Sequence, residues 1–246
     1  MWKIYSNRRE AGVAAAAAAS AILRAAIERD GTASIVFAAA PSQNEFLEAL
    51  RADTSLGWRR VTAFHLDEYA GLAASHSASF RRFLRERLLD HVPIAAFHEL
   101  AGEAADLEAE AHRYQRLLRE QPPVLAALGI GENGHLAFID PGECDFHDPL
   151  DVRIVNLDEV CRGQQVHDGC FARREDVPKR ALSLTIPFFL RTPHAVVTVV
   201  GSAKAGAVRD AIEGPVSTNC PASILRQHPG AAIFLDPDSA AQLAHA

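Results

Sequence analysis

Three continuous apolar runs, at 33–40, 124–128 and 195–200, constrain the fold of this chain more than any other feature. Short runs without polar alternation are typical of strands that are buried on both faces of a sheet. Between them lie longer segments with apolar residues at helical spacing, such as 11–29, 77–90 and 103–120. This alternation predicts an α/β protein with a three-layer αβα architecture, in which helices cover both faces of a mainly parallel, Rossmann-like sheet.

Weaker patterns complete the series of elements. Further strands are expected at 2–5, 61–66, 97–100, 152–157 and 231–235, and further helices at 41–50, 201–212 and 221–226. The segments 162–174 and 181–190 have no clear periodicity. The chain has 246 residues, of which 48% are hydrophobic, so it is long enough to bury a sizeable core. Because no repeat, linker or low-complexity segment divides it, we predict a single domain over residues 1–246.

Charge and cysteine content narrow the classes of partner. The formal net charge of −6 argues against nucleic acid, because phosphate backbones need a basic face. Small anionic ligands stay compatible, since a few cations or a helix N-terminus can bind them. The four cysteines have no C-x-x-C pair and no metal-ligand spacing. We expect reduced thiols in a cytoplasmic protein. The sequence leaves the oligomeric state open, with a homo-oligomer as one alternative.

The alanine-rich run at 11–23 loosely resembles a signal peptide, because Arg8 and Arg9 precede it. Alanine is only weakly apolar, however, and the run continues into an amphipathic segment that ends near Arg29. An ordinary helix is therefore the favoured interpretation. We also expect no membrane span, on the reasoning that no run approaches the roughly 20 apolar residues that a span needs.

Polar side chains follow four of the predicted strands, where each strand ends. They are Ser42 after the first apolar run, Asp67 after 61–66, Asn133, His135 and Asp140 after 124–128, and Ser202 and Lys204 after 195–200. The carboxyl ends of parallel strands meet at one edge of a sheet, so these side chains should converge. The sequence thus predicts one site built from four strand ends.

The residue types indicate acid–base chemistry. His135 is suited to proton transfer because the ordinary pKa of imidazole lies near neutrality, and Asn133 or Asp140 could fix its tautomer. Asp67 directly follows an apolar strand, where a partly desolvated carboxylate can act as a general base. Two alternatives stay open: Asp67 could cap the segment that follows, and Glu68 could be the base instead.

Lys204 and Ser42 indicate an anion site. Lys204 stands at a predicted helix start, where free N–H groups and the helix dipole attract an anion. The alternatives are an exposed surface lysine and a serine that caps a helix or lies in its first turn.

Three segments also resemble motifs of a known family. Gly-Ile-Gly-Glu-Asn-Gly-His-Leu-Ala-Phe at 129–138, Leu-Asp-Glu-Tyr-Ala-Gly-Leu at 66–72 and Gly-Ser-Ala-Lys-Ala at 201–205 are similar to those of the glucosamine-6-phosphate deaminase/isomerase family. The wider relatives of this family include 6-phosphogluconolactonases. Weaker matches at 90–94, 177–182 and 223–229 follow in the family's order and extend the resemblance over most of the chain.

The resemblance implies an aldose–ketose isomerisation of a small sugar phosphate, coupled to loss of its 2-amino group as ammonia, with no metal and no cofactor. In that reaction His135 would open the sugar ring, and Asp67 would move a proton between C2 and C1. Asn133 and Asp140 would orient His135. Lys204 and the loop around Ser42 would hold the 6-phosphate, with the Gly129 backbone near the sugar.

The chain departs from the family pattern at the proposed site. Asn133 stands where the family usually has Asp, and Asp140 where it usually has Glu. The phosphate loop reads Ala-Pro-Ser at 40–42, and the region 168–171 lacks the arginine that binds phosphate in bacterial deaminases. We expect Arg162, Arg173 or Arg174 as substitutes. Two other functions stay open: a lactonase in which His135 activates water, and a sugar-phosphate-binding regulator without catalysis.

Overall fold

Parallel strands that are buried on both faces form the centre of the molecule. The computed structural model describes residues 1–244. Its strands are β1 (Trp2–Ile4), β2 (Ala33–Phe37), β3 (Val61–His65), β4 (Asp67–Tyr69), β5 (Ala96–Phe97), β6 (Leu125–Leu128), β7 (Val152–Asn156), β8 (Arg180–Leu184), β9 (His194–Val199) and β10 (Ala231–Leu235). Its α-helices are α1 (Arg8–Asp30), α2 (Asn44–Ala52), α3 (Phe80–Arg87), α4 (Leu107–Glu120), α5 (Glu159–His167), α6 (Ile186–Arg191) and α7 (Ala205–Ile212).

Seven strands form one parallel sheet in the order β1-β10-β9-β6-β2-β3-β5. All residues of β2 and β6 are buried, as their mostly apolar sequences predict. Helices flank this sheet, and α1 contacts four of its strands and α2. The predicted α/β class, with a mainly parallel sheet in a single domain, is confirmed.

The order of the strands creates a crevice at the centre of the sheet. From β2 the chain moves outward to β3 and β5, and from β6 it moves in the opposite direction to β9 and β10. Segments that leave neighbouring strands in opposite directions separate at this switch point, where open α/β sheets bind ligands. The strands that we expected to deliver site residues, β9, β6, β2 and β3, are four consecutive neighbours at this point.

A second, three-stranded antiparallel sheet was not predicted. It has the order β4-β8-β7, with Asp67 opposite Ser183 and Tyr69 opposite Ala181. Strand β4 has only three residues, two of them acidic, so its sequence has no strand pattern. The ambiguous segment 181–190 forms most of β8 and then α6, whose first turn contains Pro187.

Several predicted helices are shorter, and some begin with 3₁₀ turns. The segment after β2 forms a 3₁₀ turn at Pro41–Gln43 before α2, and the segment after β9 forms another at Ser202–Lys204 before α7. Residues 221–226 lie within a 3₁₀ helix at Pro221–Gln227. The ambiguous segment 162–174 begins inside α5, which Asp158 caps by accepting a hydrogen bond from the Cys161 N–H.

Helix α1 corrects one expectation. Its 23 residues include an 18-residue window of mean hydropathy 1.4, so by length and composition it could cross a membrane. The expectation that no run is long and apolar enough is therefore wrong by this criterion. However, the structure buries one stripe of the helix against the central sheet, including Ala15, Ala19 and Leu23. That is the arrangement of a core helix.

Candidate active site

A pocket opens at the carboxyl ends of the central strands, where the sequence predicted a site. Its space, which is open to solvent, is about 570 Å³, and its wall includes Ser42, Asp67, Gly129, His135 and Lys204. Four strand ends thus contribute to one cavity. Asn133 and Asp140 are not part of its wall, and instead they contact His135 from behind.

Glycines make room for the His135 ring. A Cβ atom at Gly131 would lie 2.1 Å from the His135 Nε2 atom, so only glycine permits this packing. The Gly131 N–H donates to the His135 carbonyl at 3.0 Å, and Gly134 adopts a left-handed φ of 84°. These constraints close a tight loop after β6. The loop presents the Nε2 edge of the imidazole beside the pocket.

Asp140 fixes the orientation of the imidazole. Its Oδ1 atom lies 3.1 Å from Nδ1 of His135 and 3.0 Å from Nδ2 of Asn133. Burial would raise the pKa of the Asp140 carboxyl, but hydrogen bonds from His135, Asn133 and the Asp158 N–H outweigh it and hold that pKa below its usual value. An ionised Asp140 accepts the Nδ1 proton of His135, which leaves Nε2 as the nitrogen available for proton exchange.

Asp67 begins β4 and does not cap the segment that follows. Its side chain is 6% exposed and lies on the pocket wall. Burial raises the pKa of the Asp67 carboxyl well above its usual range, and the charge of Glu68 raises it further. A carboxylate with a raised pKa is a stronger base, which suits a group that removes a proton from substrate.

Glu68 is not available as a rival base. It is fully buried, its Oε2 atom accepts hydrogen bonds from Ser79 and from Nε of Arg81, and its Oε1 atom accepts from the Tyr69 N–H. Arg81 also pairs with Glu103. Because successive side chains of a strand point to opposite faces, Glu68 is directed away from the pocket that Asp67 faces.

Lys204 is buried and unpaired. It is 6% exposed, and its Nζ atom has no hydrogen-bond partner among residues 1–244. Burial lowers the pKa of its amine, while the carboxylates of Asp168 and Glu132 act in the opposite direction. The alternative of an exposed surface lysine is therefore wrong. A buried, unpaired cation reduces the stability of the fold unless a bound ligand supplies the opposite charge.

Residues 40–43 form the facing wall. Ser42 lies inside a 3₁₀ turn whose N-cap is Ala40, so it does not cap the helix. Gln43 is buried, donates to the Thr198 carbonyl at 3.1 Å, and approaches Gly129 so closely that a Cβ there would lie 3.1 Å from its Nε2 atom. This contact ties the loop after β2 to the strand ends of β6 and β9.

Helix α5 supplies residues that the sequence did not single out. Gln164 and Gln165 lie on the pocket wall. The Gln164 Oε1 atom accepts from the Glu132 N–H at 2.9 Å, and Gln165 accepts from the Tyr69 hydroxyl at 2.5 Å. In the sequence, Asp158 as an N-cap residue was the one sign that a helix begins here. The spacing of residues within α5 gave no indication that the helix lines the pocket.

The expected substitutes for the missing arginine do not reach the pocket. Arg162 donates to the Val177 and Arg174 carbonyls and pairs with Glu159. Arg173 pairs with Asp176, and Arg174 pairs with Glu159 at the surface. The expectation that one of these three lies at the phosphate site is wrong. Lys204 is the only Lys or Arg on the wall of this pocket within the described chain.

One group of side chains resembles a metal-ligand set. Potential ligand atoms of His135, Asp140 and Cys161 lie within 4.8 Å of one another and are buried. However, the Asp140 carboxylate already accepts hydrogen bonds from Asn133 and from the Asp158 N–H. Burial, reinforced by Asp140, raises the pKa of the Cys161 thiol, so this residue is a poor source of thiolate.

Comparison with known proteins assigns the family. The family model described as glucosamine-6-phosphate isomerases/6-phosphogluconolactonase matches residues 6–234. The chain belongs to this family. A glucosamine-6-phosphate deaminase of Streptococcus uberis is 36% identical over 200 residues, which cover 80% of this chain and 82% of the relative. One from Listeria monocytogenes is 36% identical over 202 residues, which cover 82% and 84%.

Solved structures agree with this family. The structure of a monomeric glucosamine-6-phosphate deaminase has a TM-score of 0.87 and 28% identity, and the match covers 98% of both chains. A 6-phosphogluconolactonase of Trypanosoma brucei has a TM-score of 0.81 at 19% identity, over 99% of this chain and 98% of that one. At that identity the second match shows the shared fold alone.

Proposed function

We propose that this protein is an amino-sugar-phosphate deaminase, which converts a substrate like glucosamine 6-phosphate into a ketose like fructose 6-phosphate and ammonia. The observation that supports it best is the pocket in which Asp67 and His135 share a wall with the unpaired Lys204. Two proton-transfer groups and one anion-binding group are the components that this isomerisation requires.

His135 would act first, on the closed sugar ring. Opening a cyclic hemiacetal moves one proton from the C1 hydroxyl to the ring oxygen and breaks the bond between that oxygen and C1. The Nε2 atom can carry this proton, because Nδ1 is held by Asp140. Asn133 supports the same geometry, since its Oδ1 atom accepts from the His135 N–H at 3.1 Å.

Asp67 would then act on the open chain. Its carboxylate removes the proton from C2, and the electron pair forms a double bond between C1 and C2 while the π pair of the C1 carbonyl moves to O1, which takes up a proton. Asp67 then returns its proton to C1 while the nitrogen lone pair forms a double bond to C2, and loss of one N–H proton leaves an imine at C2. Water adds to that imine, and ammonia leaves. The buried environment that raises the pKa of Asp67 suits a group that is alternately protonated and ionised.

Lys204, Ser42 and the Gly129 backbone would bind the substrate. The Lys204 amine supplies a positive charge to the 6-phosphate, and Ser42 can donate a hydroxyl hydrogen bond. The Gly129 main chain lies on the pocket wall, where it can contact the sugar. The reaction needs no metal or redox cofactor. Four free cysteines support a reducing compartment, the cytoplasm, for this enzyme.

A substrate panel tests the proposal. Purified protein is incubated with glucosamine 6-phosphate, its galacto epimer, unphosphorylated glucosamine and 6-phosphogluconolactone, and ammonia, ketose and acid are measured. We expect ammonia and ketose in equal amounts from a phosphorylated amino sugar. Acid from the lactone alone would identify a lactonase instead. A raised melting temperature with glucosamine 6-phosphate but no product would indicate a binding protein without catalysis.

A further inference from the structure

We infer that Asp158 is a positioning residue for His135, and that residue 133 must be an amide because it bridges the carboxylates of Asp140 and Asp158. This inference rests on the proposed function for its kinetic consequences. It also has a consequence for stability that does not depend on catalysis.

The bridge is visible in the hydrogen bonds of a single side chain. The Nδ2 atom of Asn133 lies 3.0 Å from Asp140 Oδ1 and 2.9 Å from Asp158 Oδ2, so each of its two hydrogens has a carboxylate acceptor. The Asn133 Oδ1 atom accepts from the His135 N–H. Every polar atom of this amide is therefore used, and its orientation is determined by its partners.

A carboxylate at position 133 could not make the same contacts. It would have no hydrogens for Asp140 and Asp158, and its oxygen in place of Nδ2 would lie within hydrogen-bond distance of both of their carboxylates. Such a group retains a proton, because like charges at this separation disfavour full ionisation. Asn133, which stands where the family usually has Asp, is therefore the residue type that can contact the acidic side chain of Asp158.

Asp158 links the catalytic loop to α5. Its main-chain N–H donates to Asp140 Oδ2 at 2.9 Å, and its Oδ1 atom caps α5 by accepting from the Cys161 N–H at 2.6 Å. At the other end of the helix, Gln164 accepts from the Glu132 N–H. The residue whose main chain holds Asp140 behind His135 therefore also places, through its side chain, the helix that carries Gln164 and Gln165 to the pocket.

The titratable groups around the bridge are few. His135 and Asp140 lie on its own loop, Asp158 and Cys161 face it from the start of α5, and Asp67 lies on the neighbouring β4, close enough for its charge to act on Cys161. Two of them contact the amide as acceptors, Asp140 and Asp158. A second, half-buried carboxylate beside Asp140 favours the transient positive charge on His135 during proton transfer.

The first test separates positioning from capping. Serine at position 158 can still accept from the Cys161 N–H, as an N-cap, but it lacks the oxygen that accepts from Asn133. We expect Asp158→Ser to keep a melting temperature close to that of the wild type. Its kcat for glucosamine 6-phosphate should fall by about tenfold or more, with a smaller change in KM. Glu159→Gln, at the exposed neighbour, is the control and should leave kcat unchanged.

The second test needs no substrate. In Asn133→Asp the three carboxylates share a proton, so the pKa of the cluster is raised above the ordinary value near 3.9 of an unfolded carboxyl. A raised pKa in the folded state contributes stability at low pH that is lost as the pH rises. We expect a melting temperature close to wild type at pH 5 and lower by roughly 3 °C or more at pH 8. The double variant Asn133→Asp/Asp158→Asn has two carboxylates instead of three, so its melting temperature at pH 8 should fall by less.

Two results would overturn the inference. One is an Asn133→Asp variant whose melting temperature differs from wild type by the same amount at both pH values. The other is an Asp158→Ser variant with wild-type kcat. If glucosamine 6-phosphate is not a substrate, the proposed function fails, while the stability series still tests the bridge by itself.

Discussion

At the scale of single residues, the pocket holds groups that folding alone does not favour. Lys204 is a buried cation without a hydrogen-bond partner among residues 1–244, and Asp67 is a buried carboxyl group. Ala137, on the same wall, has a left-handed φ of 52°, which a residue with a Cβ rarely adopts. Such unfavourable local states cluster at functional sites, where ligand binding or catalysis requires them.

Lys204 should therefore reduce stability while it contributes to binding. Burial lowers the pKa of its amine, so the charged form is disfavoured in the folded state. We predict that Lys204→Met raises the free energy of unfolding by on the order of 1 kcal/mol. The KM for glucosamine 6-phosphate should rise about 10- to 100-fold, because a charged hydrogen bond is lost.

Denaturant melts and initial rates check this prediction, with Arg209→Met as the control at an exposed cation on α7. A Lys204→Met variant that is less stable than wild type and has an unchanged KM would contradict it.

The rise of kcat/KM with pH on the acid side of the pH profile, called the acid limb below, should depend on Glu68. Burial raises the pKa of Asp67 first, and the neighbouring Glu68 carboxylate raises it further. A base with a raised pKa becomes active only as the pH rises through that value. We predict that Glu68→Gln moves the acid limb of kcat/KM to lower pH.

Glu103→Gln is the matched control for this shift. It also removes a partner of Arg81, but its charge does not act on Asp67. If both variants shift the limb equally, or if neither does, Asp67 is not the group that titrates.

At the scale of elements, the junction between β3 and β4 places Asp67. His65 is the last residue of β3. Its Nδ1 atom lies 2.8 Å from the Asp67 carbonyl oxygen, and its Nε2 atom accepts a hydrogen bond from the Leu100 N–H at 2.8 Å. These two bonds require the neutral imidazole with its proton on Nδ1. Burial lowers the pKa of His65 to about 3, so the ring stays neutral over the working range.

His65→Asn should therefore weaken the junction. The shorter side chain cannot reach the Leu100 N–H, and an unsatisfied buried donor costs about 1–3 kcal/mol. A displaced Asp67 should also lower kcat. Because the folded pKa of His65 lies below 6.5, the wild type loses stability as the pH falls from about 6.5 toward 3, by up to about 1.4 kcal/mol per pH unit.

The asparagine variant should lack this part of the acid sensitivity. Denaturant unfolding at pH 7.5, 6.0 and 4.5 measures it, with exposed His112→Asn as the control. Free energies of the wild type and of His65→Asn that change in parallel with pH would refute the assignment.

A comparison of the strands shows which parts of the fold and site could be predicted from the sequence. The apolar runs located β2, β6 and β9 because short, mostly apolar segments between helical ones are typical of strands buried on both faces of a sheet. Strand β4 could not be found, because its three residues are Asp, Glu and Tyr and it is stabilised by pairing with the distant β8. The convergence of Asp67 and His135 followed from topology. The bridge from Asn133 to Asp158 did not, because it depends on side-chain geometry across a loop.

At the scale of the whole molecule, the two sheets share structure at the pocket. β3 passes directly into β4, the Leu184 N–H donates to the Leu66 carbonyl at 2.9 Å, and the Phe138 N–H donates to Ser183 at 3.1 Å. We predict that they unfold together. Scanning calorimetry should show one transition with equal calorimetric and van't Hoff enthalpies. Two resolved transitions would show that the small sheet is an independent unit.

The most direct test of the account compares three proteins on glucosamine 6-phosphate: the wild type, Asp67→Asn and His135→Gln. The measurement is the initial rate of ammonia and fructose 6-phosphate formation at matched concentrations of folded protein. We predict equal amounts of both products from the wild type, and a loss of kcat of about 100-fold or more in each variant. Absence of ammonia with folded wild-type protein, or an undiminished rate in Asp67→Asn, would contradict the account.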